Sequence, residues 1–410
     1  MAEPRVYSYR WVVLAVFGFV NLTIQALWIA YAPITREAAT YYGVSELRVG
    51  LFAMSFMIAF VPLSMPASWA IDALGIRPSI GFGAALMLVC GPLRGLAGSS
   101  YTLAFAATVG LAIAQPFLLN AWTKVPAQWF PVSERATAVG LVTLASLIGT
   151  ALGMVLTPML VVHHTIGEVQ TWYGAAAAIS ALSFLVLARE KPPTPPCAPG
   201  LEVRALMRDG LVHALRIKPF WIYLAVAFVG MGIFNGVSTW IEGIVAPRGF
   251  SAADAGTIGA LMLGGGLLGA IVIPPISDRQ RKRKRWLLVG IALSIPGLAG
   301  LAFAKSHALV GASSFVMGFF LVSTLPVGMQ YAAEITHPTP EGTSAGLIQL
   351  FGQGAVVFVY AMQALRTPDG AYTRSLVVSI VLMLACVVLI APLRDPQGRN
   401  TTPTDTAGPK

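Results

Sequence analysis

Twelve long apolar runs, parted by short polar breaks, restrict the fold of this chain more than any other feature. About 20 apolar residues are enough for a helix to cross the hydrocarbon core of a bilayer. We place the runs at 10–34, 46–71, 77–97, 101–125, 134–162, 170–189, 219–246, 253–277, 285–304, 307–333, 341–366 and 373–393. In lipid, every backbone N–H and C=O must be paired inside the protein, so such runs are helices or barrel strands. Barrel strands alternate apolar and polar residues with a period of two, and these runs do not. Composition agrees, because only 11% of the residues are charged, against about 25% in a soluble domain. So few charges cannot cover a water-facing surface of this size. The expected fold class is an all-α membrane protein with twelve transmembrane helices.

The runs form two sets of six. Asp72, in Ile71-Asp72-Ala73-Leu74-Gly75-Ile76-Arg77, has a counterpart 206 residues on in Ser277-Asp278-Arg279. Pro131-Val132-Ser133-Glu134 and Pro338-Thr339-Pro340-Glu341 place their glutamates 207 residues apart. Features repeated at half the chain length mark a duplicated unit. Two membrane-embedded repeats around a midplane site are the plan of a secondary transporter. Between them lies a break that opens with Lys191-Pro192-Pro193 and carries Arg204, Arg208, Asp209, Arg216 and Lys218. Proline and charge mark it as a linker. Its part from Leu201 to Leu215 suits a short amphipathic surface helix. The expected organisation is a first six-helix half over 1–190, a cytoplasmic linker over 191–218, a second half over 219–393 and a disordered polar tail over 394–410.

Charge gives the orientation. With these boundaries, 20 of the 27 Lys and Arg residues fall on the side of the termini and seven on the other. Positive residues collect in the cytoplasm, so both termini are expected inside. The net charge of +10 is then a topology signal and not a nucleic-acid footprint, since the basic residues are spread over many loops. The run Arg279 to Arg285 is suited to touch anionic membrane lipid. Cys90, Cys197 and Cys386 are isolated and lack metal-ligand spacing. His163-His164 reads as a solvated pair. No nucleotide-binding loop, zinc motif, nucleophile triad or flavin motif occurs, so neither an enzyme nor a cofactor is expected. Energy would come from a solute or ion gradient, with protons and sodium as candidate ions. The two Asn-x-Ser/Thr sequences, at Asn21 and Asn400, fall in a run and in the tail, which fits a bacterial cytoplasmic membrane. A monomer is expected.

Several polar or aromatic residues lie deep in the runs. Trp28 is 18 residues into the first run, roughly 27 Å along a helix. The repeat offset takes it to Phe234 or Asn235 in the seventh. An indole face attracts organic cations, whereas a tryptophan near a helix end also suits the membrane interface. Gln349 and Gln353, four residues apart, share one helix face, and Gln115 and Asn120 add amides in the fourth run. Such amides serve either as interhelical glue or as substrate ligands. Glu242 is the one acid well inside a run and away from the expected inner loops. A buried carboxylate is a candidate for ion coupling, and an outer-rim acid paired with Arg248 is the alternative. Arg94 either closes an outer gate or snorkels.

These residues resemble the major facilitator superfamily. Its inner loop after the second helix reads Gly-x-x-x-Asp-x-x-Gly-x-Arg, and here Asp72, Gly75 and Arg77 stand in place while Ser68 replaces the leading glycine. The resemblance implies two pseudo-symmetric six-helix halves. It also implies a gating role for the inner-loop charges Asp72 with Arg77, Glu134, Asp278 and Glu341. Within the superfamily, Ala26-Leu27-Trp28-Ile29-Ala30-Tyr31, Ala114-Gln115-Pro116-Phe117 and Gly346-Leu347-Ile348 with Gln353 look like the branch of the feline leukaemia virus subgroup C receptor. That branch is linked to choline, ethanolamine and haem. Its cage tryptophan and glutamine map to Trp28 and Gln353, while a second glutamine and a tyrosine map to Leu147 and Asn235, which are departures. The expected substrate-binding set is Trp28, Gln115, Asn235, Gln349 and Gln353, with Glu242 for coupling. The expected function is a secondary active transporter or facilitator of a small organic solute, with a choline- or ethanolamine-like amine first. A small organic anion, a drug-like solute and a receptor that no longer cycles stay open as alternatives. Haem is disfavoured, because no His or Cys stands at a deep position suited to ligate iron.

Overall fold

The computed structural model describes residues 6–122, 124–194, 213–280, 282–336 and 341–395. Twelve helices in it are long and apolar enough to cross a membrane. In the first half they are α1 (Arg10–Ile29), α2 (Glu46–Ala73), α3 (Ile76–Leu96), α4 (Tyr101–Leu119), α5 (Val132–Val161) and α6 (Ile166–Leu187). The second half holds α7 (Lys218–Thr239), α8 (Ala252–Gln280), α9 (Arg283–Phe303), α10 (His307–Ile335), α11 (Glu341–Gly354 and Val356–Ala364) and α12 (Thr373–Ile390). Large apolar side chains such as Trp69 and Val388 remain 66% and 70% exposed around the outside, where only lipid makes them stable. Most of the surface-helix segment expected from Leu201 to Leu215, and the tail beyond 395, fall outside the described residues.

The duplication is visible in the packing. In the first half the principal pairs are α1 with α5 and α6, α3 with α4 and α6, and α2 with α4. The second half repeats all five, as α7 with α11 and α12, α9 with α10 and α12, and α8 with α10. The halves meet through α5 against α8 and α2 against α11, two contacts that a two-fold axis exchanges. Small residues permit the closest pairs. A Cβ on Gly149 would overlap the Leu22 carbonyl across α1–α5, and one on Gly269 would overlap the Phe319 carbonyl across α8–α10.

A second duplicated device escapes the sequence reading. The Glu190 carboxylate, just past α6, accepts the Ile76 and Arg77 backbone N–H groups at 2.9 and 2.6 Å. Asp395, just past α12, accepts the Lys284 backbone N–H at 2.7 Å. Each half thus ends on an acid that caps the start of its own third helix, where unpaired N–H groups and the helix dipole favour negative charge. Gly75, at φ 102°, turns the chain between α2 and α3 and leaves room for the Glu190 carboxylate.

Four runs are interrupted where the sequence suggests continuity. The first stops at Ile29 and continues through a 3₁₀ turn, Ala32–Ile34, into a short helix, Thr35–Tyr42. Pro33, which has no N–H to donate, sits in that turn. The fourth ends at Leu119, before a separate short helix, Lys124–Trp129. The seventh ends at Thr239 and restarts as Ile241–Val245. There Trp240 is anchored across the second half, its indole N–H donating to the Val359 carbonyl at 2.9 Å. The eleventh breaks at Ala355, next to Gly352 and Gly354.

Candidate substrate cavity and gates

A cavity of about 230 Å³ lies on the seam between the halves. Along α7 its lining runs from Tyr223 to Asn235, a depth of roughly 18 Å at 1.5 Å per residue. Trp28, Gln115, Asn235, Gln349 and Gln353 all line it, joined by Gln25 and Trp122. The first helix and its continuation form one span from Arg10 to Tyr42, so Trp28 stands near mid-span and not at the interface.

Among the described residues that line the cavity there is no acid, Lys, Arg or His. Its polarity comes from amides, with the hydroxyls of Thr150, Tyr223 and Thr324 beside them. Gln115 donates from Nε2 to Gln25 Oε1 at 2.9 Å, which ties these two together. Asn235, Gln349 and Gln353 make no hydrogen bond to another described residue, so their donors and acceptors are open to a solute. The Trp28 indole N–H donates to the Ala53 carbonyl at 3.2 Å. Trp28 therefore presents its ring, not its N–H. Gln25 lies three residues before Trp28, a helical spacing that places both on one face; that signal was available in the sequence. Asn120, by contrast, is glue: its Nδ2 is held by Ser64 and Ser68 on α2.

The halves are closed at the end opposite the termini. Between described residues, the ion pairs that cross the seam lie there. Arg366 Nη1 meets Glu46 Oε2 at 2.5 Å. Arg36 donates its backbone N–H to Glu242 Oε2 at 2.8 Å and sets its Nε 3.7 Å from Oε1. Trp240 presses on the Gly50 position of α2, and Met154 on the Gly256 and Gly259 positions of α8. Glu242 is 3% exposed but lies past the end of α7, so it is not a mid-span acid. It does not pair with Arg248 either, whose guanidinium donates to the Ala304 and Ile244 carbonyls. Burial pushes the Glu242 carboxyl up to about 8, opposed by the Arg36 backbone N–H and charge and reinforced by Glu37 and Glu46.

Arg94 does not snorkel. It is 1% exposed, donates to the Leu27 carbonyl at 2.8 Å and lies 4.5 Å from the Tyr31 ring centre. This cation braces the end of α1, where carbonyls lack helical partners. Of the residues expected to gate the other end, Glu134 pairs with Arg10 of its own half at 3.0 Å, and Arg77 is exposed. The side chains of Asp72, Asp278 and Glu341 fall outside the described residues. An intra-half pair that sequence reading did not find, Arg283 with Glu334 at 3.1 Å, also lies at that end.

Residues 12–360 and 248–408 match the Major Facilitator Superfamily. The chain belongs to that superfamily. Among the superfamily's proteins, it is 31% identical over 390 residues to Solute carrier family 49 member A3 of Danio rerio, covering 91% of this chain and 82% of that one. It is 25% identical over 411 residues to the choline/ethanolamine transporter flvcr2b of Danio rerio, covering 94% and 84%. The solved structure of the nucleoside transporter NupG superposes with a TM-score of 0.72 at 14% identity, covering 94% of this chain and 98% of that one. The protein is thus a multi-pass membrane transporter of the major facilitator fold.

Proposed function

We propose that this transporter moves a choline- or ethanolamine-like amine by alternating access, and that a quaternary ammonium suits it best. What carries the reading is a seam cavity with no acid, Lys, Arg or His among its described lining residues, a tryptophan held with its N–H occupied, and three amides with no hydrogen bond to another described residue. A primary ammonium carries strong N–H donors that want a carboxylate, while a quaternary one needs only π faces and methyl contacts. The amides suit a hydroxyl at the other end of the solute. With no Lys, Arg or His among the described lining residues, the cavity suits an organic anion less well. The cavity is smaller than the roughly 300–1,000 Å³ pockets that hold drug-sized ligands, and its described lining residues include no His or Cys for iron. Relatives named for choline and ethanolamine transport support the amine, at modest identity.

The excess of basic residues on the terminus side favours cytoplasmic termini, and Asn-x-Ser/Thr sequences placed only in a run and in the tail fit a bacterial inner membrane. On that orientation the closed end faces outward. Glu242 is the proposed proton-sensing group of the outer gate. Radiolabelled choline uptake into proteoliposomes tests the reading. Trp28→Ala should weaken choline binding by about 0.5–2 kcal/mol, or roughly two- to thirtyfold. Wild-type vesicles that take up no choline, ethanolamine or close analogue would overturn it.

A further inference from the structure

The first half brings Trp28 and Trp122 to the cavity beside Gln25 and Gln115, which are tied to each other, and the second half brings the amides Asn235, Gln349 and Gln353 beside Tyr223 and Phe234. Building on the amine reading, we propose that Trp122, held by Asn21, is a second aromatic plane that grips the cationic end of the solute. Trp122 lies just past the end of α4, where the chain is no longer helical and nothing in the helix itself would fix a side chain. Asn21 does so from within α1. Its Oδ1 accepts the Trp122 indole N–H at 2.6 Å, and its Nδ2 donates to the Phe17 carbonyl at 2.8 Å. Asn21 is 0% exposed in an otherwise apolar helix stretch, where an amide is costly unless both ends are paired. Both are.

With its N–H consumed, Trp122 cannot hydrogen-bond a solute and offers the cavity only its ring. Trp28 is tied in the same manner, to Ala53. Two anchored indoles in the first half, with no carboxylate among the described lining residues, offer π faces to a positive charge beside the paired amides Gln25 and Gln115. The solute then bridges the seam: ammonium on the indoles of the first half, hydroxyl on the amides of the second.

The test compares choline with 3,3-dimethylbutan-1-ol, its uncharged carbon isostere, as competitors of radiolabelled choline on purified protein. Trp122→Leu should weaken choline about two- to thirtyfold and leave the isostere unchanged. Trp122→Phe keeps a ring and should fall between. Asn21→Leu, which frees the indole, should lower the choline-to-isostere ratio while the melting temperature reports on folding separately. Equal losses for both ligands in Trp122→Leu would reduce Trp122 to packing and overturn the proposal. If instead the wild-type protein fails to prefer choline over the isostere, the amine reading itself falls, a result distinct from the first.

Discussion

Glu242→Gln tests the proposed proton sensitivity of the closure at the end opposite the termini. In the closed arrangement the Glu242 carboxyl titrates at about 8, chiefly because it is buried. Opening that end rehydrates it and returns it toward the ordinary value of about 4.3. Between these two values the closed form binds more protons than the open one, so acid favours closure and base favours opening. From pH 8 to pH 6 the closed-to-open ratio should rise about fiftyfold, roughly 2.3 kcal/mol, at 1.36 kcal/mol per unit. The neighbouring groups are Arg36, Glu37, Glu46, Arg366 and Tyr372. Glutamine keeps an oxygen for the Arg36 N–H but cannot ionise. The variant should therefore stay closed across the range and lose the slope. A cysteine at Ile244, 4% exposed in the closed state, reports opening by its rate of reaction with an impermeant maleimide in a background lacking the native cysteines. Equal pH profiles for the two proteins, or faster labelling in acid, would refute the argument.

Other consequences follow from the same contacts. Gly50→Leu puts a side chain into the Trp240 ring and should trap the transporter open at the end opposite the termini, seen as fast labelling of the Ile244 cysteine at every pH. Glu46→Ala leaves a half-buried Arg366 without its carboxylate and should weaken closure by about 1–3 kcal/mol; the double swap Glu46→Arg with Arg366→Glu should recover part of that in the labelling assay. Glu190→Ala removes the acceptor of two helix N–H groups at α3 and should cost about 1–2 kcal/mol of stability in a thermal melt. Asp395→Ala should do the same at α9 by a smaller margin, since one N–H is lost there instead of two.

The twelve spans and the doubling were legible because lipid forces both: apolar length is read directly, and Asp72 and Asp278 stand at one offset. Cavity residues were legible in part. Trp28, Gln115, Asn235, Gln349 and Gln353 stood out as polar or aromatic groups deep in apolar runs. Trp122 did not, since it lies close to the end of the fourth run, 101–125, where a tryptophan also suits the membrane interface. The gate was least legible. Glu46 and Arg366 are 320 residues apart at helix ends, where charges are ordinary, and only the fold joins them. Glu242 was noticed, yet its partner Arg36 sits on a short helix that exists because Pro33 interrupts the first run. The capping acids Glu190 and Asp395 went unread for a similar reason. Each acts on a helix start more than 100 residues earlier in the chain.

The segment from Leu27 to Arg36 connects cavity and gate in physical terms. At one end Arg94 holds the Leu27 carbonyl and Ala53 holds the Trp28 indole. At the other, the Arg36 N–H and side chain hold Glu242 of the second half. Between them Ile29, Ala30, Tyr31, Ala32, Pro33 and Ile34 are all buried, so this stretch is packed on every side. A tightly packed interior shifts between discrete arrangements and does not deform smoothly. We therefore expect any movement of the Trp28 ring that accompanies a solute to pass along this eight-residue path to the Glu242 carboxylate at the closed end. The coupling is measurable as a reciprocal effect. If cavity and gate share this element, choline should change the rate of maleimide labelling at Ile244, and Glu242→Gln should change choline affinity by the same factor that closure does. Labelling indifferent to choline at saturating concentration would separate the two sites.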